Sequence, residues 1–259
     1  MNNLLDAVFG YAPAQIVHVA ARLEIADLLA EGPRGSHELA EATGTHEPSL
    51  LRLLRGLACL GGVAQIRPGV FELTETGRPL RSDVPDSIRR LVMLSVSDEV
   101  WRSWGELEYS VRTGEPAWDK VAGMSSFAYF DAHPAERATF NAAMSEHTRS
   151  VAAAFIAGYD FTRFGTLVDL GGGNGTLVAE MLRAISGLRC LIYDRSSGLE
   201  GAPAILAAAG VADRCELVEG DFFESVPAGT DAYVLKSVIH DWDDEQDRKS
   251  TRLNSSHER

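Results

Sequence analysis

The chain has 259 residues, 45% of them hydrophobic, and a formal net charge of -13. That apolar content can build a packed core, which excludes a wholly disordered chain. The acidic balance disfavours nucleic acid and anionic membrane as partners, because phosphate contact needs a basic face.

Cys59, Cys190 and Cys215 are far apart. No CxxC or Cys/His spacing indicates a metal site, so they read as reduced thiols. The N-terminal stretch MNNLLDAVFGYAPAQ has no basic region leading into a long apolar run, so no signal peptide is expected. No unbroken apolar run reaches the roughly 18 residues of a membrane span. The expectation is a soluble cytoplasmic protein with no membrane partner.

Ile16, Val17, Ala20, Leu23, Ala26, Leu28 and Leu29 recur at helical spacing and predict one helix, ended by Gly32-Pro33. Ser36 is placed to cap a short helix through Thr43, stopped by Gly44. A third helix from Pro48 to about Leu60 carries Leu50, Leu51, Leu53, Leu54, Leu57 and Leu60. Two short strands flank Arg67-Pro68-Gly69. Three helices and a wing make a winged helix. Its third helix offers Arg52 and Arg55 among leucines, a face suited to burial against a partner chain rather than to reading DNA.

Residues 83–160 read as mostly helical and aromatic-rich, with Trp101, Trp104 and Trp118. The stretch from Arg137 to Phe161 predicts a long helix. From Thr166 short apolar strands alternate with helices: TLVDL, TLVAEMLRAI, RCLIYD, APAILAAAG, CELVEGD and the start of DAYVLKSVIHDW. That alternation predicts a parallel sheet covered on both faces. The end differs. Asp247 to His257 matches the translation of a common sequencing adapter, so 247–259 is expected to be a non-native tail on a truncated gene.

The segment VDLGGGNG, Val168 to Gly175, is a strand running into a glycine-rich turn that opens a helix. Gly171 and Gly173 allow close backbone approach, and the helix start supplies unpaired N–H groups. The spacing is G-x-G-x-G, not the G-x-G-x-x-G of dinucleotide sites. Asp169, two residues before the first of these glycines, suits a cofactor carrying a positive amino group and sulfonium better than a pyrophosphate. Asp194 ends the next strand, where an acid can hold ribose hydroxyls. Asp221 is placed to accept from an adenine amino group, and Phe222 to pack on the purine. His240, flanked by Asp241 and Asp243, is a candidate general base at the mouth of the same crevice. Trp242 reads as packing.

In this order LVDLGGGNG, YD, GDFF and LKSVIHDWDDE resemble the motifs of the plant-type and actinomycete small-molecule O-methyltransferases. The resemblance covers nearly all of residues 10–246. It implies a class I methyltransferase, with an α/β Rossmann-like parallel sheet of which about four of seven strands are visible. An α-helical winged-helix domain, through which the chain forms a homodimer, precedes the sheet. The implied division is 1–90 for dimerisation, 91–160 for a helical linker and acceptor-pocket segment, and 161–246 for the cofactor domain.

The resemblance also assigns roles. S-adenosyl-L-methionine is the cofactor and a hydroxylated small molecule the acceptor. Gly171 contacts the methionine part, Asp194 the ribose, Asp221 and Phe222 the adenine, and Lys236 another part of the cofactor. His240 is the base, and Met144 in FNAAM lines the acceptor pocket. RSSGLE, after Asp194, departs from the family's leucine-proline pattern. The acids that orient the family's histidine lie downstream, so the chain as written is expected to be unstable or inactive. Two other classes remain open from the residues: a non-catalytic cofactor-binding regulator and a winged-helix DNA-binding protein.

Overall fold

The structure is a computed structural model and describes residues 4–241. Trp242, Asp243 and the adapter-like tail lie outside the described residues. The chain divides into two compact units, Met1–Glu146 and His147–Arg259.

The first unit begins with helices α1 (Leu4–Val8), α2 (Tyr11–Arg22) and α3 (Ile25–Leu28). By length and composition the stretch Leu4–Arg22 is apolar enough to cross a membrane, a property that the test for an unbroken apolar run did not register. The single helix predicted over Ile16 to Leu29 is two helices. Glu24 sits at φ 56, which ends α2. Arg89 holds that break from far along the chain, donating to the Ala21 carbonyl at 3.0 Å and to Glu24 Oε1 at 2.8 Å.

Strand β1 (Arg34–Gly35), missed by the alternation pattern because it has only two residues, joins β2 (Val63–Arg67) and β3 (Val70–Leu73) in the order β1-β3-β2. Helices α4 (Ser36–Thr43) and α5 (Glu47–Cys59) lie between β1 and β2 in the chain. Gly35 rather than Ser36 is the cap of α4, and Glu38 Oε2 accepts the Gly35 N–H at 2.7 Å. Ser36 instead donates to Glu47 Oε1 at 3.1 Å, tying α4 to α5. Ile25, Leu39, Leu54 and Phe71 form the fully buried centre of this core.

Five short helices follow: α6 (Arg89–Ser95), α7 (Asp98–Gly105), α8 (Leu107–Thr113), α9 (Ala117–Ala122) and α10 (Ser126–Ala132). Trp118 packs on Phe130 at 5.9 Å between ring centroids, while Trp101 and Trp104 are exposed. The predicted long helix is α11 (Pro134–Ala157).

The second unit is an α/β layer structure. Strands β4 (Thr166–Leu170), β5 (Arg189–Asp194), β6 (Cys215–Glu219) and β7 (Ala232–Val234) run parallel in the order β6-β5-β4-β7. Helix α12 (Thr176–Ala184) follows β4, and α13 (Ala202–Ala209) follows β5. Leu167 and Ile192 pack with α12 on one face, and Val168, Leu170 and Tyr193 pack with Val226 on the other. Burial on both faces explains why β4 carries apolar residues at consecutive positions, Leu167 and Val168, instead of alternating. Asp231 starts β7 against β4, its Oδ2 accepting the Gly165 and Thr166 N–H groups at 2.9 and 2.8 Å.

Ile192 is 0% exposed at the centre of the sheet. Ile192→Ala is expected to lower unfolding free energy by about 2–5 kcal/mol, measured by urea denaturation. A loss below about 0.5 kcal/mol would contradict its central placement.

Candidate cofactor site at the strand ends

The four strands end on one side of the sheet, and parallel sheets bind ligands in the crevice beyond those carboxyl ends. At the end of β4 the chain enters the glycine loop. Gly171 has φ 70, and a Cβ there would come within 2.8 Å of Val238 Cγ2. Gly173 has φ 56, and a Cβ there would meet nothing within 4 Å. The first glycine therefore admits a neighbouring segment, while the second borders open space. The Gly171 N–H donates to the Tyr193 carbonyl at 2.8 Å, extending the β4–β5 ladder into the loop.

Asp194 holds the loop from β5. Its Oδ2 accepts the Gly173 N–H at 2.7 Å, and its Oδ1 accepts the Arg195 N–H at 2.7 Å. Burial raises its carboxyl above the usual range, against those two N–H donors. Asp221, just past β6, accepts from the Phe223 N–H at 2.8 Å and from Arg195 Nη2 at 3.2 Å. The Phe222 and Phe223 rings lie 4.6 Å apart, and Phe222 Cε1 is 3.7 Å from the point a Gly171 Cβ would occupy.

The chain after β7 closes the group. Ser237 takes the left-handed conformation, φ 58, and Val238 is buried against Gly171. His240 follows in the turn Ile239–Asp241 and is exposed. Burial lowers the Lys236 ammonium below its ordinary value, while the charge of Asp169 opposes that shift. Asp169 is 3% exposed. Burial, reinforced by Asp194 and opposed by Lys236, pushes its carboxyl up to about 7.

Of the residues singled out in the sequence, the structure gathers Gly171, Gly173, Asp194, Asp221, Phe222 and Lys236 at these strand ends, with His240 on the adjoining turn. Met144 is half-buried on α11 and belongs to the first unit. Sequence reasoning gave no role to Tyr193, Ser237 and Val238, which lie within YD and LKSVIHDWDDE, or to Arg195. Tyr193 is 5% exposed, and its hydroxyl lies 3.1 Å from Ser225 Oγ in the loop after Asp221. Arg195 had a signal, since it begins the stretch that departs from the leucine-proline pattern.

These residues fit S-adenosylmethionine. A glycine cradle borders open space at Gly173. Carboxylates that accept hydrogen bonds stand at the ends of two neighbouring strands, and a buried acid lies beneath the loop. Hydroxyl donors, an amino group and a sulfonium match such a set, whereas a pyrophosphate does not.

The fold and this crevice define a class I methyltransferase. Residues 104–252 match the family model described as an O-methyltransferase domain, and residues 5–83 match the O-methyltransferase dimerisation domain. The chain is 41% identical over 243 residues to a phenazine O-methyltransferase of Lysobacter antibioticus, covering 94% of this chain and 71% of that protein. It is 41% identical over 245 residues to the O-demethylpuromycin-O-methyltransferase of Streptomyces alboniger, covering 93% of this chain and 65% of that protein.

Among solved structures, LaPhzM superposes with a TM-score of 0.90 at 39% identity, over 98% of this chain and 76% of that one. The neocarzinostatin-biosynthesis O-methyltransferase NcsB1, solved with S-adenosylmethionine and 2-hydroxy-5-methyl naphthoic acid, gives 0.76 at 35% identity, over 94% and 75%. The chain belongs to the S-adenosylmethionine-dependent O-methyltransferase family.

Asp169 has a testable signature. Its pKa is raised from 3.8 to about 7 on folding, so the folded chain holds this proton more tightly than the unfolded one. The associated stability is fully present below about pH 4 and is lost as pH rises through about 7. Relative to Asp169→Asn, the wild-type melting temperature should fall between pH 4 and 7 and then level off. Parallel curves for the two proteins would contradict the burial argument.

Proposed function

We propose that this protein transfers a methyl group from S-adenosylmethionine to a hydroxyl of an aromatic small molecule, with His240 as general base. The reading is carried by one observation: the turn bearing His240 is seated on the glycine loop through the Val238–Gly171 contact. That contact supports reading His240 as the base beside the crevice that suits the cofactor.

When bound, S-adenosylmethionine supplies an electrophilic methyl carbon on a sulfonium. Gly171 would hold its methionine part, with Gly173 a further cofactor contact, Asp194 its ribose hydroxyls, and Asp221 with Phe222 its adenine. Lys236 contacts it as a further polar group. Met144 lines the acceptor pocket. His240 accepts the acceptor's hydroxyl proton as that oxygen becomes nucleophilic, so that proton removal is coupled to attack. Holding the oxygen in line supplies much of the remaining rate.

The acceptor class follows the relatives. Their names specify a phenazine, O-demethylpuromycin and a dihydroxy-methyl-naphthoate, and one relative is an N,N-dimethyltransferase of 8-amino-8-demethylriboflavin. A hydroxylated aromatic acceptor is common ground for most of these. The partner proposed is a second copy of this chain, joined through the first unit, where Leu4, Leu5, Val8, Phe9 and Tyr11 are exposed. Neither nucleic acid nor membrane is proposed as a partner, and the cytoplasm is proposed as the location.

His240→Ala should lower turnover by about 10²–10⁴-fold and leave S-adenosylhomocysteine binding unchanged by calorimetry. Equal loss of both would remove His240 from the role of base. Asp194→Ala should weaken S-adenosylhomocysteine by about 10–100-fold. Unchanged binding would show that the ribose is held elsewhere.

A further inference from the structure

Arg195 touches both acids of the candidate adenosine end. Its backbone N–H donates to Asp194 Oδ1 at 2.7 Å, and its guanidinium Nη2 donates to Asp221 Oδ2 at 3.2 Å. The residue therefore spans from the end of β5 to the chain just past β6. Its root is fixed by a hydrogen bond to a largely buried carboxylate, while its side chain remains 56% exposed. Asp221 is less open, at 31%.

Two readings of this ion pair compete. In one, Arg195 is an obstacle that must leave Asp221 before a purine can enter. In the other, it stays and takes part. Hydrogen-bond capacity favours the second. A guanidinium carries five N–H donors in a rigid fork, and the contact with Asp221 uses one of them. Each carboxylate oxygen has two acceptor positions. The pair can therefore receive a further donor at Asp221 and a further acceptor at Arg195 without coming apart. An exposed ion pair is also too weak to serve as an effective bar.

A donor beside an acceptor is the complement of an aminopurine edge, where the exocyclic amino group donates and the adjacent ring nitrogen accepts. A carboxylate alone reads only the amino group. The leucine of the resembling pattern offers no donor at this position.

We propose that Arg195 is a specificity-determining residue of the cofactor site, pairing with Asp221 to read the adenine edge through both its amino group and a neighbouring ring nitrogen. The proposal rests on the reading of Asp221 as the adenine acid.

The test is calorimetric titration of the full chain with S-adenosylhomocysteine and with its 1-deaza, 7-deaza and 6-oxo analogues. Wild type, Arg195→Leu, Arg195→Lys and Asp221→Asn are compared, with thermal melts confirming that each folds. Arg195→Leu should weaken S-adenosylhomocysteine by about tenfold. One deaza analogue should bind wild type more weakly by a similar factor, and this penalty should vanish in Arg195→Leu, the non-additivity expected of a direct contact. Arg195→Lys should recover only part of the affinity, because it keeps the charge but loses the fork.

Equal or tighter binding of S-adenosylhomocysteine by Arg195→Leu overturns the proposal, as does a deaza penalty that persists in that variant. Asp221→Asn separates the two levels. If it alters the preference for 6-amino over 6-oxo while Arg195→Leu changes nothing, the adenine reading stands and Arg195 has no part in it. If it leaves that preference intact, or if wild type binds none of these ligands, the adenine reading falls and Arg195 with it.

Discussion

Much of the second unit's site depends on how the Asp194 carboxylate is satisfied. A largely buried carboxylate without donors is costly. Asp194 finds two donors in backbone N–H groups, one from Gly173 and one from Arg195. The first fixes the loop after β4 to the end of β5. The second fixes the direction in which the chain leaves β5. The carbonyl of Asp194 also accepts the Gly220 N–H at 3.0 Å, which brings Asp221 alongside. One residue thus joins the ends of three strands.

The crevice is also electrostatically biased. Asp169 lies buried near Asp194 and Lys236, and its carboxyl is raised to about 7. Two acids in a poorly solvated setting disfavour joint ionisation. Positive charge or hydroxyl donors relieve that tension, and a phosphate would add to it. The glycine loop and β–α alternation suit a dinucleotide as well, so the fold alone permits either ligand class.

The alternation of strands and helices after Thr166, the glycine loop and the acids at the strand ends were legible in the sequence because each is a local pattern. Periodicity reports which face of a segment is buried, and glycine spacing reports where the backbone must turn. The same local logic erred on the helix over Ile16 to Leu29. The break at Glu24 is held by Arg89, a partner 65 residues away. It also assigned Ser36 to a cap, although that hydroxyl is used on Glu47, 11 residues on. Strand β1 is too short for any alternation to show and exists because β3 pairs with it.

By itself the sequence determined the alternation of strands and helices after Thr166, the parallel character of the second sheet and the identity of the acids at its strand ends. Those follow from residue types repeating over distances shorter than one element. Only the tertiary structure decided that Val238 sits on Gly171, that Tyr193 reaches Ser225, and that Arg195 bridges Asp194 and Asp221. The longer-range contacts among these join residues as much as 67 positions apart in the chain and exist only once the strands are in register. Side-chain partners across a sheet are set by strand order and register, and β4, buried at four consecutive positions, has no alternation to indicate either.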